Sequence, residues 1–282
     1  MKIYKMKNFL FLFTLLLQFN LLSAQYYYRD LVAPVATSQQ LQQYREQKVK
    51  SVQVSSFEGN GAPAEGFSVQ QTINPAYTQI TTLTKSSLAG ESQLKTFYDN
   101  SGRVLRTIDT TDGSSSTSEY TYNQSGQVTT ITNTSVSAGQ SREKEVHLWY
   151  YNADGKPERM IKIKNNIDTT FISFVIDDKG NIAEETSVRK GKALPGFYYY
   201  YDDKNRITDI VRYNTRVKKL LPDYMFEYNN QGQLRSMIIV PEGSDDYQRW
   251  VYQYDETGLK IKETCLNKRK QVIGRVEYSY KR

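Results

Sequence analysis

The chain has 282 residues, a formal net charge of +7, 13% aromatic residues, one His and one Cys. A lone Cys excludes an internal disulfide framework, and one His with one Cys excludes the usual zinc sites. Lys2, Lys5 and Lys7 lie in the first 24 residues, so removal of that segment lowers the charge to +4 (7 − 3), too weak a basic signal for a nucleic-acid partner.

In chain order, those lysines precede an apolar run from Phe9 to Leu17, and Leu22-Ser23-Ala24 offers small residues for cleavage ahead of Gln25. This predicts a secretory signal peptide over 1–24 and no transmembrane anchor afterwards, since a spanning helix needs about 20 apolar residues. The exported protein is expected in a periplasm, at the cell surface or outside the cell. Residues 25–93 read as an N-terminal cap unit. Thr37 begins a short helix through Gln47, Val49 to Phe57 alternates like a strand, and Glu58 to Gly66 is a loop. Val69 to Ile73 and Tyr77 to Thr84 are further strands. The helix is expected to cover the first edge of a sheet.

From residue 94 to 282 one turn recurs. It reads aromatic-x-aromatic, Asp or Asn, two polar residues, Gly and a strand, with the turn residue at Gly102, Gly126, Gly155, Gly180, Asn205, Gly232 and Gly258. The steps are 24, 29, 25, 25, 27 and 26 residues, the mark of an array of like units. In Phe226-Glu227-Tyr228-Asn229-Asn230-Gln231-Gly232-Gln233-Leu234 the two aromatics share a face. Asn229 initiates a turn, and Gly232 supplies the positive φ of a type I turn with a bulge. Asn205 replaces Gly because Asn tolerates the left-handed conformation. The fold expected is all-β: an antiparallel meander of hairpins, about 15 repeat strands in all, forming a curled sheet or open barrel with a short N-terminal helix and cap. All Gly turns then lie on one edge and all variable connections on the other.

Tyr98-Asp99-Asn100-Ser101-Gly102-Arg103-Val104, with partial copies at Tyr201 to Ile207 and Tyr254 to Leu259, resembles the YD-repeat (Rhs) family over about Lys95 to Arg282. The resemblance implies an extracytoplasmic hairpin array of non-enzymatic character. With few repeats and repeat sequence up to the last residue, toxin delivery is not implied.

The residues hold little catalytic chemistry. His147 precedes Leu148-Trp149 in a predicted strand, and no Gly-x-Ser-x-Gly elbow occurs. The turn Asp and Asn residues cap locally, since each turn has too few oxygens for calcium. Glu184-Glu185 and Asp245-Asp246 could serve a carbohydrate-active enzyme, but adjacent strand residues point to opposite faces. No enzyme, cofactor or metal is expected. Binding is the leading reading, with a polysaccharide or another envelope protein as partner. Tyr198 and Tyr200 are candidates for stacking on sugar rings, with Trp149 and Trp250 further candidates. Arg189 and Lys190, Lys218 and Lys219, and Lys268 and Arg269 lie in variable loops that share an edge and suit an acidic polysaccharide or anionic headgroups. An outer-membrane barrel is a minor alternative, because Lys162, Lys164, Glu184, Lys260 and Lys262 fall within predicted strands.

Overall fold

The computed structural model describes residues 26–282 except 88, 215, 216, 242, 243 and 245. The expected signal peptide and cleavage site lie outside the described residues. Among the described residues one helix, α1 (Arg29–Glu46), precedes eighteen strands. They are β1 (Ser51–Glu58), β2 (Ser68–Ile73), β3 (Gln79–Ser86), β4 (Gly90–Tyr98), β5 (Val104–Thr111), β6 (Ser114–Tyr122), β7 (Val128–Ser137), β8 (Glu143–Tyr151) and β9 (Pro157–Lys164). The second half comprises β10 (Asp168–Ile176), β11 (Ile182–Arg189), β12 (Lys192–Tyr201), β13 (Ile207–Asn214), β14 (Lys219–Tyr228), β15 (Leu234–Ile239), β16 (Gln248–Tyr254), β17 (Lys260–Asn267) and β18 (Val272–Lys281).

Each strand pairs antiparallel with its neighbours in sequence, and β1 pairs with β18 from Ser51 opposite Lys281 to Glu58 opposite Gly274. The sheet is therefore a closed 18-stranded meander barrel. This corrects the curled sheet or open barrel expected from sequence: the ring is closed. The fifteen strands from β4 onward (18 − 3) match the expected repeat strands, and β1 to β3 complete the ring.

The turn chemistry explains why the repeats fold as they do. Gly102, Gly126, Gly155, Gly180, Gly232 and Gly258 have φ between 72° and 85°, and Asn205 has φ 58°. Register shifts by one residue beside every such turn, for example between Glu227 and Tyr228, as the bulged hairpin requires. The leading Asp or Asn side chain locks the turn. Asp99 Oδ1 accepts from the N–H groups of Ser101 and Arg103, and Asp202 Oδ1 from those of Lys204 and Arg206. A second contact runs to the residue four positions on. Asp99 pairs with Arg103 and Asp202 with Arg206, whereas Asn123 and Asn229 donate through Nδ2 to Gln127 and Gln233. Arg103 then lies over the ring of Tyr122 (4.9 Å) and Arg206 over Tyr228 (4.4 Å), each the tyrosine of the next repeat. Gln127 and Gln233 instead donate to the carbonyls of Gly155 and Gly258 in the next turn.

In six copies of the motif its second aromatic ties hairpin to hairpin. Tyr122, Tyr151, Tyr201, Tyr228, Tyr254 and Tyr280 donate from Oη to the carbonyls of Val104, Val128, Ile182, Ile207, Leu234 and Lys260 at 2.6–2.9 Å. Each bond contributes about 1 kcal/mol. Ile176 has no hydroxyl and breaks the ladder once.

The eight turns that join β2–β3 through β16–β17 lie at one end of the barrel, and the variable connections lie at the other. An 18-stranded ring is too wide for its own side chains to fill alone. Helix α1 occupies that space. Its N-terminal side meets β8, β11, β12 and β14, and its C-terminal side meets β2 and β18. A helix on the outside could not reach both sides of a closed ring. The expected edge-covering role is thus corrected: no first edge remains, and the helix sits in the lumen. It also begins at Arg29 rather than Thr37, whose Oγ1 donates to the Ala33 carbonyl inside the helix.

Candidate functional site

The helix is fastened by a buried polar cluster on inward-facing strand positions. Residues at the start of α1 lack a side-chain cap of their own. Glu185 of β11 supplies one. Its Oε1 accepts from the Tyr27 N–H and its Oε2 from the Tyr28 N–H, both at 2.9 Å, and Tyr199 Oη donates to Oε2 at 2.8 Å. A carboxylate here also faces the positive end of the helix dipole. Burial nevertheless pushes the Glu185 carboxyl up to about 7, against the lowering effect of those three donors.

Beside it, Asp30 of α1 reaches β8. Its Oδ2 lies 2.6 Å from His147 Nδ1 and accepts from Trp149 Nε1 at 3.2 Å. His147 Nε2 lies 2.9 Å from Glu145 Oε1, and Lys162 Nζ is 2.8 Å from Glu145 Oε2. Burial disfavours the imidazolium, but the two carboxylates facing its two nitrogens outweigh this and raise His147 to about 9. Glu145 feels the reciprocal effect: burial raises it, yet His147 and Lys162 hold it down to about 2. With both ring nitrogens donating to carboxylates, His147 has none left for general-base work. The cluster binds helix to barrel. Tyr26 adds edge contacts with Phe197, Tyr199 and Tyr224 at 5.9–6.2 Å. At the other end Tyr44 Oη bonds Gln71 Oε1 at 3.1 Å, and Gln71 donates to Thr82.

The sequence-derived candidates fall in different places. Tyr198 and Tyr200 lie on the outer face of β12, opposite Val211 and Asp209 of β13, and Tyr200 is 50% exposed. Trp149 and Trp250 are a correction. At 3% and 1% exposure they belong to the interior, Trp149 stacked on Phe174 at 5.1 Å, and cannot meet a ligand from outside. The basic loops share one end of the barrel but not one patch. Arg189, Lys190, Lys218 and Lys219 sit on the adjacent hairpins β11–β12 and β13–β14. The β15–β16 hairpin separates them from Lys268 and Arg269. Arg189 is ion-paired with Asp168. Asp245 lies outside the described residues. Glu184 and Glu185 face opposite sides of β11, Glu185 alone being buried.

Sequence reasoning missed the Asp30–His147–Glu145 and Glu185 cluster. Its only trace is a set of charged residues at inward positions of otherwise apolar strand faces, with three tyrosines just after the expected cleavage site.

The outer face is divided. On β8–β14 the outward positions include Leu148, Ile161, Phe171, Val188, Tyr200 and Met225, several of them well exposed. On β1–β4, β17 and β18 they include Gln53, Gln70, Lys95, Lys262, Arg275 and Glu277.

No protein-family model matches the chain, and no curated protein matches it. Among solved structures, a porin-like protein from Bacteroides uniformis aligns over 83% of this chain and 98% of its own at 13% identity, with a TM-score of 0.40. A porin-like protein from Bacteroides vulgatus aligns over the same shares at 11% identity and a TM-score of 0.20. The Photorhabdus luminescens Tc holotoxin pore aligns over 77% of this chain at 14% identity and a TM-score of 0.34, where the chain spans 12% of the matched length. Scores of this size establish no common fold, and the YD-repeat resemblance is not confirmed.

Proposed function

We propose that this chain is a non-enzymatic β-barrel protein of the cell envelope that works against a membrane surface. The observation that carries the reading is a closed barrel with its own N-terminal helix fastened to opposite inner walls. Glu185, Asp30, His147 and Glu145 are engaged in holding the helix, and the buried Glu263 and Arg212 are paired with strand residues. Partners therefore have the outer face and the loop end. Exposed apolar side chains concentrate on β8–β14, among them Phe171, Val175, Tyr200 and Met225, with Glu184 and Asp209 between them, and continue at the loop end with Val188, Leu194, Val217 and Leu220. Apolar groups gathered on one side of the barrel and its loop end suit contact with a membrane surface. Cell fractionation tests the reading: the protein is expected in the envelope pellet and to be released by alkaline carbonate. Recovery in the soluble fraction would overturn it.

Ring closure favours a second reading, an integral outer-membrane barrel, over the open sheet of a glycan-binding module. Such a barrel resists carbonate and changes its gel mobility on heating. The polar outward residues of β1–β4, β17 and β18 weigh against lipid on every side. Glycan recognition keeps one support, the exposed Tyr200 beside Tyr198. It predicts specific polysaccharide binding that Tyr200→Ala weakens without bond cleavage.

A further inference from the structure

Three neighbouring hairpins run on past the packed interior at the loop end. On β10 to β13 the last buried positions are Thr170, Ser187, Phe197 and Arg212. Beyond them the hairpins expose apolar side chains on both faces of a thin ribbon: Val188 and Leu194 on β11–β12, Leu220 and Leu221 on β13–β14. Val217 in the connection is exposed as well, and Ile167 in the β9–β10 turn is 88% exposed. A ribbon that buried one face against the barrel would be apolar on that face alone.

Lysines surround these residues. Lys190, Lys192, Lys218 and Lys219 are all exposed within the same two hairpins. The carboxylates close by are engaged with other cations: Asp168 with Arg189, Asp223 with Arg212, and Glu143 with Lys164. The tips thus combine a net positive charge with projecting apolar side chains. Charge alone would suit any polyanion. The exposed aliphatic groups on both faces need a medium that surrounds the ribbon and accepts hydrocarbon, which a bilayer interface does. Three or four strand residues project roughly 10 Å, which matches the 5–10 Å depth reached by interfacial elements.

We propose that the ends of hairpins β11–β12 and β13–β14 dock the barrel on an anionic phospholipid bilayer, lysines at the headgroups and Val217, Leu220 and Leu194 below them. The proposal rests on the membrane-surface reading above and names the contact that would serve it. The test is flotation of the exported protein with phosphatidylglycerol-rich vesicles and with pure phosphatidylcholine vesicles. The expected result is binding to the anionic vesicles, weakened by salt. Lys190→Gln with Lys218→Gln should lower the affinity about 25-fold, at about fivefold per lysine. Val217→Ser with Leu220→Ser should lower binding at high salt, where the apolar part dominates. Lys268→Gln with Arg269→Gln removes the same charge from the β17–β18 loop and should leave binding within about twofold of the parent, because that loop lies outside the contact. Unchanged circular dichroism and thermal unfolding show that each variant folds.

Equal losses from both charge pairs would overturn the proposal, as would no vesicle binding or binding to an anionic polysaccharide alone. Fractionation separates the two levels. If the tip variants still pellet with envelopes, the membrane reading stands and the docking site fails. If the parent protein is soluble in cells, the membrane reading itself fails.

Discussion

At the scale of single residues, Glu185 makes the sharpest prediction. Its folded pKa of about 7 lies above the ordinary 4.5, so the folded state holds its proton more tightly than the unfolded chain. The linkage sign follows: the contribution of Glu185 is complete below 4.5 and is lost as pH rises from 4.5 through 7, by about 3 kcal/mol in all. His147, raised to about 9, continues the decline, its contribution being complete below 6.5 and lost as pH passes 9. Glu145 acts in the other direction, but its stabilisation is lost only as pH falls towards 2. Glu185→Gln keeps an acceptor for the helix N-terminus and removes the titration. Its melting temperature, compared with the parent over pH 4.5 to 7, should gain on the parent as pH rises. Parallel curves would mean that Glu185 is not buried against the helix. Little of this was legible, because a lone His in a strand and a Glu beside another Glu carry no local sign of who meets them. The same holds for Trp149 and Trp250, whose ring type suits a sugar face and a packed interior equally well.

At the scale of the element, the hairpin turns were the most legible part, because their geometry is decided within seven residues. A Gly or Asn at the left-handed position and an Asx side chain three residues earlier suffice. What the sequence left unexplained is why some turns read Asp…Arg and others Asn…Gln. The structure gives the reason: the first and last residues of each set bond to one another, ionically or by amide to amide, and then reach the next repeat. A swap tests this. Asn229→Asp alone and Gln233→Arg alone should each destabilise, and the double variant should recover most of the loss, with a coupling of about 1 kcal/mol in denaturant titrations. Additive losses would show that the two positions act independently. The helix was half legible. Leu41 and Tyr44, three residues apart, form its buried face near the C-terminus, but Arg29 to Ala36 lack a periodic pattern, because their contacts are with several strands at once. Tertiary docking of Tyr27, Tyr28 and Asp30, rather than a capping residue, sets where the helix begins.

At the scale of the whole molecule, two features depend on long-range contacts and were invisible in the sequence: closure of the ring and placement of the helix inside it. Closure joins β1, which has no repeat motif, to the last strand. The helix meets opposite inner walls of that ring, and its N-terminal end is held by the Glu185 and Asp30 contacts together. Hydrogen exchange should therefore show the amides of α1 protected nearly as well as those of β8 and β11, exchanging through global unfolding. Rapid exchange of α1 beside protected strands would describe a loosely held lid instead.

The claim on which the rest depends is the closed ring, and one disulfide tests it. Gln53 of β1 and Ser279 of β18 are directly opposed and exposed on the outer face. Cross-strand partners have Cα atoms about 4.5–5.5 Å apart, within reach of a disulfide. In a Cys265→Ser background, Gln53→Cys with Ser279→Cys should cross-link nearly completely under mild oxidation. The Gln53→Cys with Lys262→Cys pair, one strand further, should not. Failure of the first pair to form an intramolecular bond in folded protein would contradict the barrel and leave an open sheet.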